Sequence, residues 1–340
     1  MKTISIANGK SVRNRINSLR IFINSRLHIT LLALHDDQYR CNGGLGFSTQ
    51  APQCELTFAL ADRAFISDSR RTPSTVEELE RLQLIVQTEQ RKLCFDHSLA
   101  ISISGNLRPH AGFGSGTAIT LACLEALHIL NGSEISPTEL VAASGRGGTS
   151  GVGIHSYFSG GYVFDLGRKV DDSVFSPSHL NGSKPAPLLL DQGQMPDWEF
   201  GICMPAAIAH KTQAEERDFF RRTCPLPADK VYETVYHSLF GLYAALREAD
   251  RAAFCAALKA VQNCAWKLAE RREYGEALME IEQAIYASGA QAVGMSSLGP
   301  SLFFLADDVN SIVTAMRLSR QDCEWLVTRP DNRGREIVYG

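Results

Sequence analysis

The stretch Arg108-Pro109-His110-Ala111-Gly112-Phe113-Gly114-Ser115-Gly116-Thr117 constrains the fold of this chain more than any other. It follows a segment of strand periodicity, 98–104, in which Leu99, Ile101 and Ile103 alternate with smaller or polar neighbours. It precedes 118–130, which is apolar almost all round and therefore a helix to be buried. Glycines let the backbone approach a ligand closely, and the start of a helix presents free N–H groups and a positive dipole end. Ser115 and Thr117 add hydroxyl donors, and Arg108 and His110 add charge. Arg108, His110, Gly112, Gly114, Ser115, Gly116 and Thr117 thus read as an anion cradle with phosphate as its commonest guest, against a plain strand-to-helix turn as the competing reading. No Gly-Lys-Ser/Thr follows, and the glycine spacing is not that of a dinucleotide fingerprint.

Around this loop the chain alternates strands and helices. Segments 19–25, 28–34 and 53–61 have strand periodicity. Ser74 is a cap candidate for a helix carrying Val76, Leu79, Leu82, Ile85 and Val86. Ser136-Pro137-Thr138-Glu139 is a capping box with proline at the first helical position, and that helix ends near Ser144-Gly145. The Ser/Pro/Gly/Asn-rich stretch 177–194 marks a domain boundary, dividing the chain into 1–190 and 191–340. Beyond it come a strand at 199–204, helices over 228–287, strands near Ala292 and at 301–305, a helix at 308–318 and a last strand at 323–328. That order predicts an α+β protein whose second half is a ferredoxin-like layer.

A second glycine run, 145–154, holds five glycines in its first nine residues, too many for turning alone. Arg146 is its natural phosphate or carboxylate partner, with Gly148, Thr149 and Ser150 beside it; a solvated loop arginine is the plainer reading. Arg26 and His28 lie where two predicted strands join, and Asn42 opens a third. Ser296, Ser297 and Leu298 belong to a late small-residue loop that turn chemistry also explains. His210 and Lys211, beside Glu215 and Glu216, read as a solvated entry to a helix.

Composition narrows the partners. A net charge of −3 gives no basic face for nucleic acid. Nine cysteines without a C-x-x-C pair, and nine histidines without metal spacing, give neither a disulfide framework nor a protein-built metal cage. A metal would arrive on substrate phosphates, which is magnesium behaviour. No run approaches ~18 apolar residues, so no membrane span is expected. A cytoplasmic enzyme is the expectation, with a homodimer as the base-rate assembly.

The ordered set Ser25–Thr30, Asn42–Phe47, His110–Thr117 and Arg146–Ile154 with Gly160-Gly161, joined more loosely by Gly294–Pro300, resembles the GHMP superfamily of small-molecule kinases. Within it the set is most similar to β-ribofuranosylaminobenzene 5′-phosphate synthase. The resemblance implies a two-domain architecture, a ribosomal-protein-S5-like α/β domain followed by a ferredoxin-like domain. It implies transfer of ribose 5-phosphate from phosphoribosyl pyrophosphate (PRPP), with Mg2+, to an aromatic or heteroaromatic carboxylic acid. A C–C bond forms, and CO2 and pyrophosphate leave. It places Arg26, His28, Asn42 and Arg146 in catalytic positions and Ser296, Ser297 and Leu298 against the acceptor. The kinases of the superfamily carry an aspartate soon after a Ser-Gly pair, whereas Ser150-Gly151 is followed by no carboxylate before Asp165. That lowers the alternative of an ATP-dependent small-molecule kinase; a non-catalytic phosphate sensor is a third reading. Asn42 stands for the family's usual aspartate, and Met295 and Leu298 for a glutamine and a tryptophan, which inclines the acceptor toward a pyrazole-type acid.

Overall fold

Leu19, Ile21 and Ile23 are buried and alternate with half-exposed neighbours, the period-two pattern of a strand packed on one face. They open β1 (Ser18–Ala33), which runs through the region where two strands had been expected. Irregularities at Asn24/Ser25 and at His28/Thr30 break the alternation without ending the strand. They flank Arg26 and His28, and such bulges re-aim side chains locally. Likewise β2 (Arg40–Ala61) is one strand of 22 residues whose glycines are sites of close backbone approach rather than turns.

The computed structural model describes residues 17–36, 39–146, 149–170, 175, 177 and 186–340. After β2 come β3 (Phe65–Asp68), α1 (Val76–Lys92) and β4 (Ser98–Gly105). The capping box of α1 is formed by Thr75 and Glu78, one residue beyond the expected Ser74. Next are α2 (Ser115–Leu130), α3 (Pro137–Ser144), α4 (Val152–Ser159), β5 (Tyr162–Asp165), β6 (Arg168–Lys169) and β7 (Leu189–Gly193). Ser136 and Glu139 close the predicted capping box on α3, and Gly145 ends it with a left-handed cap.

The second layer begins with β8 (Phe200–Pro205), followed by α5 (Gln213–Thr223) and α6 (Ala228–Tyr236). A π-helical segment (His237–Tyr243) leads into α7 (Ala244–Glu248), α8 (Arg251–Gln262), α9 (Ala265–Arg272) and α10 (Gly275–Ala287). Then come β9 (Ala292–Met295), β10 (Leu302–Leu305), α11 (Val309–Ser319), β11 (Cys323–Thr328) and β12 (Glu336–Tyr339). The antiparallel order β11-β8-β10-β9 is the ferredoxin-like arrangement, so the α+β, two-layer GHMP architecture holds.

The final strand was not anticipated. β12 leaves the second sheet and pairs with β1, Leu19 opposite Tyr339, so the first sheet recruits residues beyond 190. Two segments therefore cross between the sheets, 194–199 and 329–335. They are bonded to each other: Met195 N–H donates to Asn332 Oδ1 (2.8 Å), Asn332 Nδ2 donates to Met195 O (3.0 Å), and Arg329 pairs with Asp197 and Glu199. The sheets also share a core in which Phe47 meets Phe200 and Phe303, with ring centroids 4.8 and 6.1 Å apart. Each buried ring contributes roughly 2 kcal/mol from its apolar area. Among the described residues no helix is long and apolar enough to cross a membrane.

Candidate active site

The glycine loop delivers the start of α2 to a cleft of about 240 Å³ between the two layers. Gly114 is the N-cap at φ +72°, with no side-chain cap and no acidic residue in the first turn. By contrast α1, α3 and α5 each close a full capping box. The first N–H groups of α2 are thus left for a ligand, at the positive end of the helix. Ser115, Gly116 and Thr117 line the cleft, and Arg146 faces them, its Nη2 3.5 Å from where a Cβ on Gly116 would stand. A Cβ on Gly114 would lie 2.7 Å from Arg26 Nε, so glycine is needed there for space as well as for its φ.

Arg26 donates through Nη1 to Gly112 O (2.9 Å), while its buried Nε has no partner. Burial lowers its pKa to about 10, partly offset by Glu216. Burial also lowers Arg146, with Arg81 acting in the same direction. Glu216 from α5 is raised by burial although His110, Arg26 and Arg146 all favour its charge. His110 binds Glu78 of α1, which raises the histidine and lowers the carboxyl. An arriving anion would relieve the crowded guanidinium charge at this end of the cleft.

A second group sits behind the loop. His28 Nε2 lies 3.2 Å from Ser150 Oγ, which donates to Asp165 Oδ2 at 3.0 Å. Because Ser150 gives its proton to Asp165, His28 Nε2 is the N–H that donates to Ser150, and Nδ1 is the ring's acceptor. Burial, with Arg26 and Lys267 near, holds His28 well below its usual pKa, so it is neutral near pH 7. Asp165 is fully buried and also accepts from Gly151 N–H (2.8 Å) and Gly167 N–H (2.9 Å). A Cβ on Gly44 would stand 2.7 Å from His28 Nε2 and 2.8 Å from Ser150 Oγ. Gly44→Ala is therefore expected to prise this pair apart, lower turnover about tenfold or more and, by overpacking a buried site, reduce stability by about 1–3 kcal/mol. Turnover equal to wild type would remove the pair from the working site.

Of the residues singled out by sequence, the cleft gathers Arg26, His28, His110, Gly112, Gly114, Ser115, Gly116, Thr117, Arg146, Thr149, Ser150, Ser297 and Leu298. Arg108 does not join them; its guanidinium is held by Glu324 of β11. Asn42 lies at a left-handed position (φ +66°) on β2 and does not line the cleft. Ser296 is wholly buried as a seam, accepting from His28 N–H (3.0 Å) and donating to Gly112 O (2.7 Å). Gly148 lies outside the described residues.

The GHMP kinases N terminal domain family model matches residues 79–160, from α1 to the end of α4. Beta-ribofuranosylphenol 5′-phosphate synthase of Archaeoglobus fulgidus is 31% identical over 325 residues, covering 94% of this chain and 99% of that protein. The chain belongs to this synthase family, within the GHMP superfamily. The synthase of the same name from Methanothermobacter thermautotrophicus is 26% identical over 287 residues, 84% of this chain and 87% of that one. Among solved structures, homoserine kinase from Cytophaga hutchinsonii superposes with a TM-score of 0.66 at 17% identity, over 99% of this chain and 100% of that one. Mevalonate diphosphate decarboxylase from Staphylococcus aureus superposes with a TM-score of 0.63 at 12% identity, over 95% and 98%. These likenesses carry the fold.

In this synthase-family chain, sequence reasoning missed Glu216 and Lys211, taken for a solvated face, and Arg81, Trp266 and Glu270. Glu216 could have been found from the helical spacing that points it to the same side as the buried Phe219 and Phe220. Asp165 had been noticed only as a displaced carboxylate; beside Gly167, two residues on, its partners Ser150 and Gly151 come from the distant turn before α4, which no local pattern reveals.

Proposed function

We propose that the chain is a PRPP-dependent, decarboxylating ribosyl-5-phosphate transferase that joins the anomeric carbon to an aromatic or heteroaromatic carboxylic acid. One observation carries the reading: the lining of the cleft combines an anion-binding set with an apolar, partly aromatic cluster. The start of α2, with Arg26, Arg81 and Arg146, suits phosphate oxygens. In the same lining, Leu31, Phe220, Trp266 and Leu298 form an apolar wall suited to a flat ring. The relatives' name specifies ribose 5-phosphate carried on a phenol, which fits that pairing. Asp165 is spent on Ser150 and two backbone N–H groups and does not line the cleft, so the kinase alternative lacks a carboxylate at that position.

Chemically, the arginines and the uncapped α2 would stabilise the leaving pyrophosphate by preorganised electrostatics. The acceptor ring would rest on the apolar wall with its carboxylate toward the anomeric carbon. Loss of CO2 returns the electron pair of the broken C–C bond to the ring, so no general base is required. Among the described residues no three His, Cys, Asp or Glu gather for a metal. Ser115, Thr117 and Glu216 offer hard oxygens at the cleft, which fits a magnesium ion arriving on the pyrophosphate and keeping much of its water. When bound it would neutralise leaving-group charge.

Of the three departures from the family pattern, Leu298 alone borders the cleft; Met295 is buried in the second core. The choice between a pyrazole-type acid and a benzoate thus turns on Leu298 and the wall beside it. The test incubates the chain with PRPP, Mg2+ and, separately, 4-hydroxybenzoate, para-aminobenzoate and a pyrazole carboxylate. Equimolar pyrophosphate, CO2 and C-riboside with at least one acid is expected, and none in excess EDTA. ADP from ATP and a small alcohol, with no pyrophosphate from PRPP, would overturn the proposal. Tight PRPP binding without product would mark a sensor instead.

A further inference from the structure

Trp266 and Glu270 stand one turn apart on α9, on the face that borders the cleft. Glu270 is 3% exposed, and one of its oxygens is taken by the ammonium of Lys267, whose side chain is fully buried. Lys267 also donates to Met295 O at 2.8 Å, which fixes the late loop. A buried ion pair set into an apolar wall contributes little or nothing to stability compared with hydrophobic side chains of the same volume. Packing alone does not account for it. Burial raises the Glu270 carboxyl, with Lys267 and the nearby indole N–H of Trp266 acting against it; that N–H is itself buried and makes no hydrogen bond of good geometry. The wall of Leu31, Phe220, Trp266 and Leu298 therefore contains a carboxylate acceptor and an indole donor side by side.

We propose that Glu270 and Trp266 read the acceptor ring: Glu270 accepts a hydrogen bond from an O–H or N–H at the ring position away from the departing carboxylate, and the Trp266 N–H donates to a lone pair there. This rests on the transferase reading above and adds the substrate feature that it leaves open. A phenolic hydroxyl both donates and accepts. So does the N–H/N pair of a pyrazole. An aniline nitrogen donates well but accepts poorly, so it satisfies Glu270 and leaves Trp266 unpaired. The chain is thus built for hydroxybenzoate-type or azole-type acids ahead of aminobenzoates.

The contact also has a part in the chemistry. As the ring carbon bonds to the anomeric carbon, pyrophosphate leaves with the electron pair of the C–O bond and the ring becomes cationic. For a para-hydroxyl, part of that charge reaches the O–H, whose hydrogen bond to Glu270 strengthens in the transition state. CO2 then departs, its bonding pair restores aromaticity, and the hydroxyl keeps its proton.

The experiment measures binding by calorimetry in magnesium pyrophosphate, which fills the phosphate end without turnover. The probes are 4-hydroxybenzoate and 4-fluorobenzoate, nearly equal in size, of which the second has no donor. Wild type is expected to bind the hydroxy acid about tenfold or more tighter, on the usual worth of a hydrogen bond to a charged group. Glu270→Gln should bring the ratio below about threefold, since it removes the charged acceptor. If Glu270→Gln loses cooperative melting because Lys267 is left unpaired, the double variant K267M/E270M decides, being apolar throughout the wall. A folded variant that keeps the wild-type ratio, or a wild type that binds both acids equally, overturns the inference while the transferase reading stands. A wild type that binds neither acid and releases no pyrophosphate from PRPP overturns both.

Discussion

Replacing Arg146 with alanine is expected to lower kcat/KM for PRPP by about a hundredfold to a thousandfold, from the loss of one or two charge-assisted hydrogen bonds in a shielded site. The fold should be indifferent to the change. Burial and Arg81 already lower the Arg146 pKa, and Glu216 keeps Arg26 and His110 as counter-charges, so its removal leaves no buried charge without a partner. Arg146→Lys should recover only part of the loss, because an ammonium keeps the charge without the planar fork. Steady-state kinetics with PRPP varied, beside a thermal melt, check both halves. Unchanged kinetics in Arg146→Ala would detach the second glycine run from substrate.

The second large effect is on stability. Asp165→Ala leaves Ser150 Oγ–H and the N–H groups of Gly151 and Gly167 without their acceptor in a fully buried place. A cost of about 3 kcal/mol or more is expected, since each orphaned buried donor forfeits its desolvation. The pH dependence has a definite sign. Burial raises the Asp165 carboxyl from 3.8 to about 6, so the folded chain holds this proton more tightly than the unfolded one. The stability linked to that proton is fully present below about pH 4 and is lost as pH rises toward 6. The gap between wild type and variant should therefore be widest near pH 4 and narrower at pH 7. Urea melts across that range would show it; a gap that widens with pH would contradict the assignment.

What the sequence disclosed follows from the reach of each signal. Helix starts were legible because capping is local: Ser136 and Glu139 are three residues apart and bond as their spacing implies. The glycine loop and uncapped helix start were legible for the same reason, their glycines and hydroxyls lying within one loop and one helical turn. The continuity of β1 was not, because a bulge and a turn both interrupt alternation, and a partner strand decides between them. Arg108 was misjudged through a long-range fact, a carboxylate at Glu324 that takes the guanidinium first. The aromatic end of the cleft was invisible for a related reason. Leu31, Phe220, Trp266 and Leu298 each look like ordinary core until the fold brings four distant segments to one wall.

The paired crossing segments have a consequence for how the two walls are held. A single connection would let one layer swivel over the other. Here two connections run side by side and are laced together through Met195, Asn332, Arg329, Asp197 and Glu199. With the core shared by Phe47, Phe200 and Phe303 beside it, such a double strap resists twisting of one layer over the other. The wall of Leu31, Phe220, Trp266 and Leu298 is thereby held in lateral alignment with the start of α2. For the transfer proposed above, in which two carbon atoms must meet along one line, the lacing of the chain would keep them on it.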